Sequence, residues 1–282
     1  MVPGPYLESF EFRPQYSSNP QIFHYLIPYV AAVGSLCALR RDRSRASELL
    51  PSAYQANVAA TAAFRAVERD DVNGANWPSI LLFSLCNLMF HFAAAQFTPP
   101  ADFDFLEIFR HVLRGTGGLR RQLLDHLVKI GFLRKEDAPL RFGAPETAPR
   151  DVRDVEETQA ALALLASATH PGDTPAATVA ACDEALALLR RWAFLIGGAP
   201  RQWAHFFYWP CAVSQAFVAA LEDRHPVALL IFVHWCAVMR RAPDAWFLDG
   251  WARRTAFAAM AVIAPTTDYG FLRWPVAVFD PV

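Results

Sequence analysis

An apolar run at residues 80–97, ILLFSLCNLMFHFAAAQF, constrains the fold more than any other feature of the sequence. Its length comes close to the roughly 20 residues that a membrane-spanning helix needs. The run also contains Asn87, His91 and Gln96, and no basic residues flank it. We therefore interpret it as a helix buried in a protein core and predict no membrane span. Such a helix needs apolar partners on most of its faces.

The rest of the chain shows helical periodicity, because apolar residues recur at spacings of three and four between turns rich in proline and glycine. No convincing alternation of the kind found in strands is present. The tail at 268–282 is expected to be irregular. The predicted helices cover residues 20–40, 49–68, 78–96, 104–113, 118–130, 155–168, 178–195, 202–221, 226–241 and 246–263. The sequence thus predicts an all-α fold.

The composition indicates an unusually large apolar interior. Hydrophobic residues make up 54% of the chain and charged residues 19%, with 22 Phe and 8 Trp. Aromatic rings in such numbers favour a thick core or a cavity that they line. We predict a single irregular multi-helix domain over residues 1–282 that encloses a large apolar pocket, with a proline-rich surface linker near 135–150. A homodimer is one way to cover the apolar surface that remains.

Charge and motifs exclude several functions. The net charge is −1, and the basic cluster at 40–45 lacks the interleaved aromatic residues of a nucleic-acid surface, so no direct nucleic-acid binding is expected. No phosphate-binding glycine loop, nucleophile elbow or metal-ligand spacing of histidines is present. The five cysteines form no Cys-x-x-Cys pair. We predict no cofactor, no metal, and an intracellular, cytoplasmic location, since the N-terminus is not a secretory signal.

Polar residues within the apolar helices are the candidates for chemistry. Asn87 and His91 are four residues apart and share a helix face; they either contact a ligand oxygen or form a satisfied core pair. His234 lies in the middle of the apolar run 227–239, where it can donate to a ligand carbonyl or shuttle a proton, unless it is a core histidine. Tyr208 is a candidate phenol donor. We take these four as candidate catalytic residues.

Candidate ligand-binding residues come mainly from aromatic clusters near predicted helix ends or kinks. The densest cluster lies just before a kink expected at Pro210. Two further tyrosines share one face of the first helix. The candidates are Tyr25, Tyr29, Trp203, His205, Phe206, Trp209, Gln215, Trp235, Met239 and Trp246.

Two C-terminal segments carry a resemblance to a known family. Residues 226–235 (PVALLIFVHW) form an apolar helix with a central histidine, and residues 246–254 (WFLDGWARR) form a Trp-rich Gly-Trp helix start. In this order they resemble the C-terminal domain of fungal zinc-cluster transcription regulators of the sterol uptake control type. Residues 54–65 and 105–115 are similar to the family's middle helices, so the resemblance extends over most of the chain.

The resemblance implies an all-helical domain that binds a sterol in an apolar pocket and couples its occupancy to transcription. The regulators begin with a cysteine-rich zinc cluster that contacts DNA, whereas this sequence enters the family-like region within about its first twenty residues. We therefore expect a stand-alone relative of the ligand-binding domain. A regulator fragment would instead be nuclear.

Two functions are compatible with such a pocket. In the first, the chain is a cofactor-independent cyclase or isomerase, of pericyclic type, that folds a sterol-, terpenoid- or polyketide-like molecule into a reactive conformer. In the second, it is a non-catalytic lipid sensor whose C-terminal helices repack when the ligand binds. The lack of DNA-binding machinery favours the enzyme.

Overall fold

The computed structural model describes residues 22–67, 77–110, 152–201, 203–265 and 268–280, together with residue 129. These residues are mostly helical and include no strand, so the predicted all-α class is confirmed. No helix in the described part of the chain is long and apolar enough to cross a membrane. The predicted helix at 118–130, apart from residue 129, and the predicted linker at 135–150 lie outside the described residues.

The helices are numbered here in chain order. They are α1 (Ile22–Arg41), α2 (Ala46–Val67), α3 (Trp77–Ala95), α4 (Val152–Leu164), α5 (Ala176–Leu195), α6 (Trp203–Ala212), α7 (Gln215–Glu222), α8 (Pro226–Arg240), α9 (Trp251–Ile263) and α10 (Arg273–Phe279).

Besides shifts of up to four residues at helix ends, three features differ from the sequence prediction. The segment predicted as one helix at 202–221 is two helices, because Ser214 lies in extended backbone and its hydroxyl accepts a hydrogen bond from the Phe217 amide, starting a new helix. Helix α9 begins at Trp251 instead of Trp246, because Gly250 has a φ of 68°. The tail expected to be irregular contains helix α10.

The chain folds as two compact units. Of the described residues, the first unit comprises 22–67, 77–103, 129 and 245–249, and the second comprises 104–110, 152–201, 203–244, 250–265 and 268–280. The single domain inferred from the sequence stays a prediction.

The first unit is built on α1, α2 and α3. Helix α1 packs extensively on α2, and both contact α3. Phe64 and Phe83 stack with ring centroids 3.7 Å apart, and the ring of Tyr25 meets both of them edge-on. The apolar run of α3 supplies buried residues such as Phe90 and Phe92, which agrees with its interpretation as a core helix.

The second unit is organised around α8. Every residue from Val227 to Met239 is buried, so this helix has no solvent-exposed face along that stretch. Helices α5, α7, α9 and α10 each pack against it. Pro226 occupies its first turn, where a missing N–H costs no hydrogen bond.

Arg241, at the end of α8, makes the most extensive side-chain network in this unit. Its guanidinium donates to the Asp154 carbonyl at 3.0 Å, the Thr158 hydroxyl at 2.9 Å and the Glu157 carboxylate at 2.8 Å. It also lies 5.5 Å from the ring centroid of Trp274. Arg241 therefore ties the N-terminal turns of α4 to the C-terminal end of α8.

Replacing Arg241 with methionine is expected to lower the free energy of unfolding by about 2–3 kcal/mol, because it removes the charged hydrogen bonds of a guanidinium that is mostly buried. Arg253 offers a matched control. It pairs with Asp280 at 3.0 Å with both side chains about half exposed, and such surface pairs contribute less than about 1 kcal/mol. Urea unfolding of R241M and R253M measures both values. Equal losses in the two variants would contradict this account of Arg241.

Candidate functional site

The aromatic side chains of the second unit cluster around Trp235 on α8. Its ring lies 5.6 Å from Trp209, 5.6 Å from Phe232, 5.8 Å from Phe109 and 5.8 Å from Trp251. Trp235 is completely buried. We call these five residues the Trp235 cluster. Residues on four different segments of the unit thus converge on one indole ring.

The two central tryptophans of this cluster differ in their hydrogen bonding. The Trp209 Nε1 group donates to the Ala185 carbonyl of α5 at 2.9 Å. The Trp235 Nε1 group is equally buried, but no acceptor for it is present in the described part of the chain. A buried indole N–H usually finds an acceptor. Trp235 therefore carries an unused donor in an apolar environment.

Other buried polar groups of the second unit share this property. Among the described residues, no hydrogen-bond partner exists for the indole nitrogens of Trp192 and Trp274 or for the Thr255 hydroxyl. Each such group raises the free energy of the folded chain unless an acceptor from outside reaches it.

His234 is next to Trp235 in the chain. It is fully buried, and its ring stacks on Trp274 at 5.5 Å. Its Nδ1 lies 2.9 Å from the Leu230 carbonyl, which only accepts, so Nδ1 carries the proton and Nε2 is the acceptor of the ring. Burial lowers the pKa of His234 to about 4, partly offset by the hydrogen bond to Leu230. At neutral pH the ring is neutral and accepts, rather than donates, through Nε2.

The remaining candidate residues of the second unit differ in how far their side chains are buried. Phe206 and Met239 are buried. His205 is also buried, and its Nδ1 accepts a hydrogen bond from the Arg201 amide at 3.0 Å, so it stabilises the start of α6. Tyr208 is half-buried, and Gln215 is exposed at the start of α7. Trp203 is the first residue of α6.

The other five candidates belong to the first unit. The Tyr29 hydroxyl donates to the Asn87 Oδ1 at 2.9 Å, so α1 and α3 share a partly buried polar pair. Burial, and then the nearby Cys86, raise the pKa of Tyr29 well above its usual value. Tyr25 is completely buried, and His91 meets the Phe90 ring edge-on at 5.4 Å. Trp246 lies in the turn before α9.

An open apolar depression lies on the surface of the first unit. Its volume is about 360 Å³, and it is bordered by the start of α2 and the segment after α3. Small-molecule sites usually bury most of their ligand. The large enclosed pocket inferred from the sequence stays a prediction. The residues that line the depression are Ala46, Ser47, Leu50, Pro51, Tyr54, Phe97 and Pro99.

The sequence analysis missed one cluster of metal-ligating side chains. His170, Cys182 and His225 each offer one ligand atom, and these atoms lie within 4.8 Å of one another. Burial, and then the charge of Asp183, raise the pKa of the Cys182 thiol to about 12. Burial and His170 lower the pKa of His225. The three residues are far apart in the chain, so no short sequence motif predicts the cluster.

Comparisons with protein-family models, with characterised proteins and with solved structures gave no match for this chain. The resemblance to fungal zinc-cluster regulators therefore stays a prediction from the sequence. What can be said about function comes from the chemistry of the two units.

The buried His234 makes stability depend on pH. Its pKa of about 4 in the folded protein is below the 6.5 of a free histidine, so the unfolded chain binds more protons between these values. The stabilisation is present above pH 6.5 and falls by about 3 kcal/mol as the pH drops to 4. Replacing His234 with phenylalanine is expected to remove this part of the slope of the unfolding free energy against pH.

Urea unfolding at several pH values between 4 and 7 measures the effect. His24 is exposed on α1, so H24Q controls for the loss of a histidine and should keep the full slope. His225 contributes in the same direction, which leaves H234F with a shallower but nonzero slope. A slope in H234F as steep as in the parent protein would show that His234 is not buried in its neutral form.

Proposed function

We propose that this chain binds a hydrophobic molecule of sterol, terpenoid or polyketide type, and that an oxygen of this ligand accepts a hydrogen bond from Trp235. The observation that carries the proposal is the fully buried Trp235 Nε1 group, which has no acceptor among the described residues. A ligand carbonyl or hydroxyl oxygen would satisfy it within an aromatic, water-poor environment.

The chemistry around α8 suits a ligand that is mostly apolar. The rings of the Trp235 cluster offer large faces for contact with a polycyclic or polyene skeleton. His234, on the adjoining position of α8, offers a neutral acceptor nitrogen to a ligand hydroxyl. A ligand with two oxygen groups on an apolar skeleton would form hydrogen bonds with both Trp235 and His234.

The same arrangement would suit a catalytic role. In an intramolecular cyclisation or isomerisation, the product has the mass of the substrate, and no oxidant, reductant or cofactor is consumed. Holding the reacting carbons of a flexible ligand close together lowers the barrier. A Trp235 hydrogen bond to a carbonyl that gains negative charge in the transition state would lower it further. We propose the cyclase or isomerase as the first candidate function.

A sensor is the second candidate, and it would not change its ligand chemically. Helix α8 packs against α5, α7, α9 and α10, so a ligand seated against it would shift several helices together. In that case the bound molecule would be released unchanged. Native mass spectrometry of the purified protein, followed by solvent extraction, identifies any bound molecule. Incubation of the stripped protein with extracted lipophilic metabolites then separates the two functions, since only an enzyme produces an isomer of equal mass.

Substituting Trp235 with phenylalanine keeps an aromatic ring and removes the N–H donor. We expect the affinity for a fluorescent sterol, measured by energy transfer from tryptophan, to fall by about 10-fold, the equivalent of one hydrogen bond. The stability of the ligand-free protein should stay level or rise, because a buried unsatisfied donor is removed.

Two further variants make this test specific. W209F keeps an aromatic ring in the cluster and removes a donor that already bonds to Ala185, so it should lower stability and reduce the sterol affinity less than W235F does. L50R places a charge in the open depression of the first unit and should not affect binding. Unchanged affinity in W235F together with loss of binding in L50R would move the site to the first unit. Failure of every sterol and terpenoid to bind would contradict the proposed function.

A further inference from the structure

A second site lies in the second unit, at the N-terminal end of α8. His170 belongs to the loop between α4 and α5, Cys182 to the second turn of α5, and His225 caps α8. The rings of the two histidines lie 5.3 Å apart and are inclined by 34°. One potential ligand atom of each of the three residues lies within 4.8 Å of the other two. Two imidazoles and a thiol thus converge from three separate segments.

The hydrogen bonds of these side chains leave ligating nitrogens unused. The Nδ1 atoms of His170 and His225 are both buried, and neither has a partner among the residues that the structure describes. His225 uses its other nitrogen, Nε2, in a 3.2 Å hydrogen bond with the Thr174 hydroxyl. Metal-bound histidines typically have this arrangement, in which one nitrogen meets the metal and the other bonds to a neighbouring polar group.

The backbone around the cluster holds His225 in place. Its amide donates to the Ala220 carbonyl at 2.9 Å, and its carbonyl accepts from the Leu229 amide at 3.0 Å. In the facing loop, the Thr174 amide donates to the Pro171 carbonyl at 3.0 Å. Cys182 lies within a regular helix and is buried. The side chains therefore project from ordered backbone on each of the three segments.

We propose that His170, Cys182 and His225 bind a zinc ion. Zinc–nitrogen bonds of about 2.0–2.1 Å and zinc–sulfur bonds of about 2.3 Å place the tetrahedral ligand atoms of two histidines and one cysteine about 3.3–3.6 Å apart. Atoms already within 4.8 Å reach this geometry through small side-chain rotations. A mixed set of thiolate and imidazole suits zinc better than magnesium or calcium, which prefer oxygen ligands.

Three protein ligands leave the fourth position of a tetrahedral ion for a molecule from solution. This coordination is found in zinc sites that bind a water or a substrate, whereas structural zinc sites usually have four protein ligands. His170 is half-buried and the residues that follow it are exposed, so the cluster lies close to the protein surface. Thr174 serves as a positioning residue through its bond to His225.

Titration of the full-length, reduced and chelator-treated protein with zinc alone tests the proposal by calorimetry. Titration with cobalt reports the thiolate through its charge-transfer absorption. We expect one equivalent to bind and the absorption to appear. C182S should lose the absorption and the tight binding. T174V should weaken zinc binding by about 10- to 100-fold, because it removes only the bond that orients His225.

C37S is the matched control, because Cys37 is a half-buried cysteine of the first unit and outside the cluster. It should bind zinc and cobalt as the parent protein does. H170Q replaces a half-exposed ring and keeps a test available if C182S fails to fold, which circular dichroism checks. The proposal is overturned if no saturable binding occurs, or if folded C182S and H170Q bind zinc as tightly as C37S.

Discussion

Burial of helix α8 on all sides is the constraint on which the second unit depends. No residue from Val227 to Met239 reaches solvent, so the helix needs apolar neighbours all round it. Helices α5, α7, α9 and α10 provide them. Each large apolar side chain that they cover contributes about 1.5–3 kcal/mol. The same burial forces every polar group on α8 to find a partner within the protein or from outside it.

The polar groups around α8 meet that requirement in two different ways. The Arg241 guanidinium and the His234 Nδ1 group donate to carbonyl and side-chain acceptors of the unit itself, so these hydrogen bonds are explained by stability. Trp235 and His225 each keep one buried nitrogen for which the described residues offer no partner. Since leaving such a group unpaired is costly, the two proposed ligands would each stabilise the folded unit.

Local patterns in the sequence predicted much of the fold and little of the site. The buried helices at 78–96, 178–195 and 226–241 were predicted within two residues at each end, because their apolar runs and flanking prolines are local signals. The break at Ser214 was missed, because a serine cap looks like any other serine within a helical pattern. His170 and His225 meet only after the chain folds, and no spacing rule joins residues so far apart.

The proposed ligand site and the proposed zinc site share helices α5 and α8. This determines which substitutions can test the two sites independently. Cys182 and Ala185 are three residues apart on α5 and therefore lie on neighbouring positions of its surface. Cys182 belongs to the proposed zinc site. The Ala185 carbonyl accepts a hydrogen bond from Trp209, and the Trp209 ring stacks on Trp235. His225 and Trp235 likewise share α8. A substitution that shifts α5 would disturb both sites together. Only replacements that preserve shape, such as serine for Cys182 and phenylalanine for Trp235, leave the backbone in place and allow the metal and the apolar ligand to be tested independently.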